Sequence, residues 1–94
     1  MKLYALSECY TPNEREAVGF ISYIKLFKSK EDAVAKMKEE AYKDGNEVLY
    51  YKDNKHIHGE SPLNLSGTIV GNAKASDYSN AILEWEIREY EIEV

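Results

Sequence analysis

The chain has 94 residues, of which 44% are hydrophobic and 31% charged, with five glycines and two prolines. This composition predicts one globular domain, residues 1–94, and excludes a disordered or collagen-like chain. The net charge of −5 is confined to residues 46–94, which hold four basic and nine acidic residues. Proteins gain most of their affinity for nucleic acids from basic residues that neutralise phosphates, and this sequence has no basic patch. We therefore expect no direct nucleic-acid binding.

The chain also lacks the sequence features of a membrane or secreted protein. No apolar run approaches the roughly 20 residues that a membrane helix needs. The opening Met1–Glu8 is too short and charged too soon for a secretory signal peptide. The single cysteine, Cys9, cannot form an internal disulfide and suits a reducing compartment. We expect a cytoplasmic protein with no membrane partner.

The first two predicted strands form a hairpin. Residues 2–10 alternate in side-chain direction, with Tyr4 on one face and Ala5 on the other. Residues 17–27 are apolar in both phases, so this strand is predicted to be central and covered on both faces. Residues 11–16 contain turn-forming residues and are predicted to join the two strands.

An α-helix is predicted at residues 30–44. Ser29 is placed to accept a hydrogen bond from the backbone N–H of Asp32, as an N-cap residue does. Gly45 can adopt the positive φ that commonly ends a helix. The apolar stripe is small, so the helix is expected to cover one face of a sheet. The stripe consists of Ala33, Val34, Met37 and Ala41.

The next predicted strand covers residues 47–52. A two-residue turn at 53–54 would lead into a paired arm at 55–58. Residues 59–81 are rich in glycine, serine and asparagine and predict a loop, a short strand at 68–70 and another loop.

The last predicted strand, residues 81–94, contains two apolar trios of opposite phase. The trios are Leu83, Trp85 and Ile87, and then Tyr90, Ile92 and Val94. A β-bulge near Arg88 and Glu89 would bring both trios into the core. The alternative is a straight strand whose two halves contact different layers. With the bulge, four glutamates form one exposed row, a candidate surface for a basic protein partner. This acidic row consists of Glu84, Glu86, Glu91 and Glu93.

Together these elements predict an α+β fold. An antiparallel sheet of four to five strands carries a single α-helix on one face, in the order β-β-α-β-(β)-β. One helix cannot cover both faces of such a sheet. We expect long loops or a second copy of the chain, in a homodimer, to close the other face.

Three residues are candidates for chemistry. His56 and His58 lie on one face of the predicted arm, but a zinc site needs three or four protein ligands. Cys9 as a nucleophile would need a lowered thiol pKa and an orienting base, neither of which the sequence shows. We therefore expect no metal, no cofactor and no catalytic residue.

The leading functional hypothesis is a small acidic, non-enzymatic protein that acts through protein–protein interaction. It is based on the acidic row and on eight tyrosines, a residue type enriched at interfaces. By analogy, such a protein suits a phage or mobile-element accessory that inhibits a host factor. The first alternative is a small-molecule or nucleotide-binding protein that uses the loops of residues 59–80. The second alternative is a small enzyme that uses Cys9 or His56 and His58.

Overall fold

The computed structural model describes residues 1–53 and 66–93, which form five strands and one helix. The sheet is antiparallel at each of its four pairings, in the order β2-β1-β5-β4-β3. The helix packs on one face of this sheet, so the predicted α+β fold is confirmed. The elements are β1 (Lys2–Thr11), β2 (Phe20–Phe27), α1 (Lys30–Ala41), β3 (Glu47–Lys52), β4 (Thr68–Ser76) and β5 (Ile82–Glu91).

The core lies between α1 and the sheet. Alanines line both the helix stripe and the facing part of β4, so the two backbones can approach closely around the larger Met37 and Trp85. The fully buried cluster consists of Leu6, Ala33, Met37, Ala41, Ala73, Ala75, Trp85 and Ile87. The predicted helix stripe therefore packs as expected, with Val34 partly buried at its margin.

The start of α1 follows the sequence prediction. The Ser29 hydroxyl accepts a hydrogen bond of 3.3 Å from the Asp32 backbone N–H. The same hydroxyl donates to Glu31 Oε2 at 2.9 Å. Glu31 and Asp32 also place two carboxylates in the first turn, where the positive end of the helix dipole favours them.

The end of α1 comes three residues earlier than predicted, at Ala41. The Asn46 side-chain amide donates to the carbonyl oxygens of Glu40 at 3.1 Å and Ala41 at 3.4 Å. These are two of the last helical carbonyls, which have no partner within the helix itself. Gly45 has a φ of 93°, as the chain reversal at this point requires.

The position of β2 contradicts the prediction of a central, doubly covered strand. Among the described residues, β2 pairs only with β1 and so forms an edge of the sheet on its other side. Four of its large apolar side chains remain exposed, among them Ile24 at 50% and Leu26 at 66%, whereas Tyr23 and Phe27 pack against the core. The prediction failed because β5, the last strand in the chain, occupies the other side of β1. Apolar residues in both phases identify a strand but do not identify its neighbours.

The β4 strand is longer than the sequence predicted. It runs from Thr68 to Ser76 and lies between β3 and β5. Gly71, Asn72 and Lys74 are poor strand formers, so the local pattern favoured a loop, whereas pairing on both sides holds them in the sheet. A short turn, closed by Asp77 Oδ1 accepting from the backbone N–H groups of Ser79 and Ala81, leads into β5.

The predicted arm at 55–58 lies outside the described residues. Within them, β3 pairs with β4, and Tyr51 and Lys52 face Ala73 and Asn72.

The β5 strand is straight, so the predicted bulge near Arg88 and Glu89 is wrong. β5 keeps one register against β1, from Lys2 opposite Glu91 to Thr11 opposite Ile82. The irregularity nearby belongs to β4, between Ile69 and Gly71. This unbroken register agrees with the straight strand of the alternative prediction. Its first apolar trio faces α1, whereas Tyr90 is only partly buried and Ile92 is 37% exposed.

Candidate functional site

The four glutamates of the predicted acidic row do not form one exposed surface. Because β5 is straight, Glu84 and Glu86 lie on the face away from α1, and Glu91 has the opposite phase. Glu86 is only 2% exposed and Glu84 is half-buried, whereas Glu91 and Glu93 are exposed. Glu91 Oε1 instead lies 3.4 Å from the amino group of Met1. The prediction of a continuous acidic row is therefore wrong.

The buried carboxylate of Glu86 is stabilised by the cation of Arg88, which lies beside it on the same face of β5. Arg88, itself 4% exposed, donates to Glu86 Oε2 at 3.0 Å. Across the neighbouring strands, Glu86 faces Ser7 on β1 and Asn72 on β4, both buried. The outer face of the central strands is thus a buried polar layer, and Glu86 is part of the fold.

The geometry gives no support to Cys9 as a nucleophile. Cys9 is 4% exposed, on the same sheet face as Glu84 and Glu86. Burial, followed by the negative charges of these glutamates, raises the pKa of the Cys9 thiol. The reactive thiolate is therefore disfavoured.

The other two candidates for chemistry, His56 and His58, lie outside the described residues. Residues 1–53 and 66–93 contain no group of three or more potential metal ligands.

A cleft of about 590 Å³ opens beside the C-terminal end of α1. Its size is in the range of small-molecule sites, and four carboxylates and one ammonium group lie around it. It is lined by Glu8, Glu40, Lys43, Asp44, Asn46, Asp77, Tyr78, Leu83 and Trp85.

Three of the four carboxylates in this cleft already serve the fold. Glu8 accepts from the indole Nε1 of Trp85 at 2.8 Å and from Ser22 Oγ at 2.6 Å. Glu40 pairs with Lys36 at 3.3 Å and with a second lysine, Lys43, at 3.7 Å. Asp77 closes the turn before β5, and these hydrogen bonds lower the pKa of its carboxyl. Most of the carboxylates around the cleft are therefore engaged in contacts that hold the fold together.

The most unusual surface of the molecule lies along β2 and the residues just before it. Five large apolar side chains there are exposed to between 42% and 81%, although they follow one another within nine residues of chain. We call this the β2 surface; it consists of Val18, Phe20, Ile21, Ile24 and Leu26.

Three residues of the β2 surface share the sheet face that α1 does not cover. Leu26, Ile24 and Ile21 lie opposite Ala5, Ser7 and Cys9 of β1, in that order. These β1 residues are buried, whereas the β2 residues opposite them are exposed, so the exposed apolar area of this face begins at β2. Phe20 packs instead against Tyr10, with ring centroids 5.5 Å apart.

The backbone of β2 adds a second binding feature to this surface. An edge strand presents N–H and C=O groups on its open side that another strand could pair with. Natural edge strands commonly carry several charges that discourage such pairing, but Phe20–Phe27 contains one, Lys25. The sequence contained the relevant signal, apolar residues in both phases, but a buried central strand has the same pattern.

Comparison with protein-family models, with curated proteins and with solved structures found no match for the chain. In the part of the chain that the structure describes, no helix combines the length and the apolar character needed for a membrane span.

Proposed function

We propose that this protein is a non-enzymatic protein-binding module and that its partner binds at the β2 surface. The observation that carries the proposal is the exposure of five large apolar side chains on and just before the edge strand β2, three of which share one face of the sheet. Contiguous exposed apolar patches are uncommon on monomeric proteins and characteristically mark interaction sites.

The chemistry of the β2 surface favours a partner that presents a strand. Main-chain hydrogen bonds to the open edge would supply affinity without requiring a particular sequence. The apolar side chains Ile21, Ile24 and Leu26 lie on one face of that edge and would contact alternate side chains of the added strand. This mode of binding needs no titratable group, metal or cofactor.

The β2 surface replaces the acidic row as the proposed binding site. Glu86 is held by Arg88 inside the fold and cannot contact a partner without disrupting it. The partner is therefore expected to be recognised by apolar contact and strand pairing, and a basic surface on the partner is no longer required. The described residues give no comparable support to the alternative that uses loops 59–80.

Site-specific photo-crosslinking in the expressing cell tests this proposal. A photo-crosslinking amino acid in place of Ile24, which is 50% exposed, should give discrete protein adducts. The matched control carries the same amino acid in place of Glu39, whose side chain is 71% exposed on α1 and does not belong to the β2 surface. Adducts at position 24 but not at position 39 are expected. Equal yields at both positions, or none at position 24, would contradict a binding role for β2.

A further inference from the structure

We infer that the strand bound at the β2 surface is β2 of a second copy of this chain, paired antiparallel across a two-fold axis. The inference rests on the proposed function, since it names the partner for that same surface. A two-fold dimer is the commonest assembly of a soluble protein, and it requires a surface that is complementary to itself.

Charge around β2 supplies this self-complementarity. Before the strand, Glu14 and Glu16 are exposed and flank a single arginine, Arg15. Towards and beyond its end, Lys25 and Lys28 are exposed. Antiparallel pairing brings the beginning of one β2 alongside the end of the other, so the acidic flank of each copy approaches the basic flank of its partner. Parallel pairing would instead bring flanks of like charge together.

These flanking charges are available for such contacts. Within the described residues, no ion pair involves Glu14, Glu16, Lys25 or Lys28. The ammonium of Lys25 instead lies 5.3 Å from the ring centroid of Tyr23 on its own strand. Two complementary sets of flank contacts, one on each side of the axis, would therefore form without breaking existing pairs.

The opposite edge of the sheet is less suited to self-pairing. β3 has six residues, against eight in β2, and begins with Glu47 and ends with Lys52. Three of its six residues are partly buried, and Leu49 is its one large exposed apolar residue. The contrast between a charged short edge and an apolar long edge favours β2 as the surface between copies.

The available area fits a dimer of modest affinity. If burying a fully exposed side chain of this size removes about 100 Å² from water, the β2 surface offers on the order of 300 Å² per copy. Two copies together offer on the order of 600 Å² of side-chain area, so the paired backbone and the flanking residues must supply the rest of the roughly 1,000 Å² expected of a specific interface. An interface of this size lies at the small end of specific interfaces, so we expect a weak dimer that dissociates to monomer on dilution to nanomolar concentration.

Analytical ultracentrifugation over nanomolar to 100 micromolar protein tests the inference. The parent should shift from monomer to dimer, and Ile24→Asp should remain monomeric at the highest concentration. Because Ile24 is half exposed, this variant should keep the parental circular dichroism spectrum. Lys38→Asp, a change at an exposed position of α1, is the matched control and should dimerise like the parent.

A charge exchange distinguishes antiparallel pairing from other contacts through β2. Glu16→Lys and Lys28→Glu should each weaken dimerisation by roughly tenfold, because each turns two attractive contacts per dimer into repulsive ones. The double variant should recover most of the loss. Additive losses in the double variant would overturn the antiparallel arrangement.

The inference and the proposed function fail in different ways. A parent that stays monomeric at 100 micromolar overturns the second copy as partner. If the crosslinker at position 24 then gives adducts whose mass differs from two copies of the chain, the β2 surface is still a protein-binding site. If it gives no adduct, both proposals fall.

Discussion

Trp85 and Glu8 lie directly opposite each other on β5 and β1, and the indole Nε1 donates to Glu8 Oε2 at 2.8 Å. The indole is 1% exposed, so its N–H must find a partner inside the protein. Glu8 supplies that partner, and its other oxygen accepts from Ser22 on β2 at 2.6 Å. One carboxylate therefore joins three strands of the sheet at the centre of the fold.

Removing this acceptor should destabilise the protein. We expect Glu8→Ala to lower the free energy of unfolding by about 1–2 kcal/mol, because the buried indole N–H keeps only its weaker contact, 3.2 Å to the Tyr23 hydroxyl. Urea titration followed by Trp85 fluorescence measures the loss. Glu8→Gln retains an acceptor oxygen and should lose clearly less. Equal losses for the two variants would show that hydrogen bonding by residue 8 is not the stabilising contribution.

The neighbouring Tyr23 should make stability sensitive to alkaline pH. Burial, and then the negative charge of Glu8, raise the pKa of the Tyr23 phenol above its ordinary value of 10.0. Above pH 10 the unfolded chain releases this proton while the folded chain retains it, so the contribution is complete below pH 10 and falls as pH rises. Between pH 10 and 11.5, the free energy of unfolding of Tyr23→Phe should fall less steeply with pH than that of the parent. The two slopes should differ by up to about 1.4 kcal/mol per pH unit.

Urea titrations at pH 8, 10 and 11 measure this difference in slope. Tyr78→Phe is the matched control, because Tyr78 is 90% exposed and its surroundings change little on unfolding. A Tyr23→Phe profile parallel to that of the parent would show that the Tyr23 phenol ionises equally easily in the folded and unfolded chains.

The order of the helix and strands along the chain could be predicted from local patterns, but the pairing of the strands in the sheet could not. The Ser29 cap and the helix stripe are local, so α1 was predicted nearly to the residue at its start. The pairing of β5 with β1 joins residues that are separated by most of the chain length, and local periodicity is insensitive to such contacts. That one pairing places β2 at the edge.

The buried ion pair of Glu86 and Arg88 on β5 likewise could not be predicted from local patterns. Glu84, Glu86 and Arg88 alternate as a solvated strand face would, and the sequence favoured that interpretation. Burial of Glu86 became visible only with Ser7 and Asn72 on either side of it. The candidate site shifted for this reason from β5, where charges are neutralised within the fold, to β2, where apolar groups are exposed.

Breaking the Glu86–Arg88 pair should be more costly than replacing it. Arg88→Met leaves a buried carboxylate without its cation and should lower the free energy of unfolding by about 3–5 kcal/mol. The double variant Glu86→Leu/Arg88→Met removes both charges and should regain most of that loss. Urea titration of the set gives the coupling between the two changes. A double variant less stable than Arg88→Met would show that these groups stabilise the fold through other contacts.

Cys9 should be almost unreactive in the folded protein. It is 4% exposed, and burial raises the pKa of its thiol, so alkylation requires the sheet to open. We expect iodoacetamide to label native Cys9 on the order of a hundredfold more slowly than the urea-unfolded chain, which corresponds to an opening free energy of about 3 kcal/mol. In a Cys9→Ser background, Lys38→Cys introduces an exposed thiol on α1 as the matched control. Labelling of native Cys9 at the control rate would mean that the thiolate is accessible and would restore the hypothesis of a cysteine enzyme.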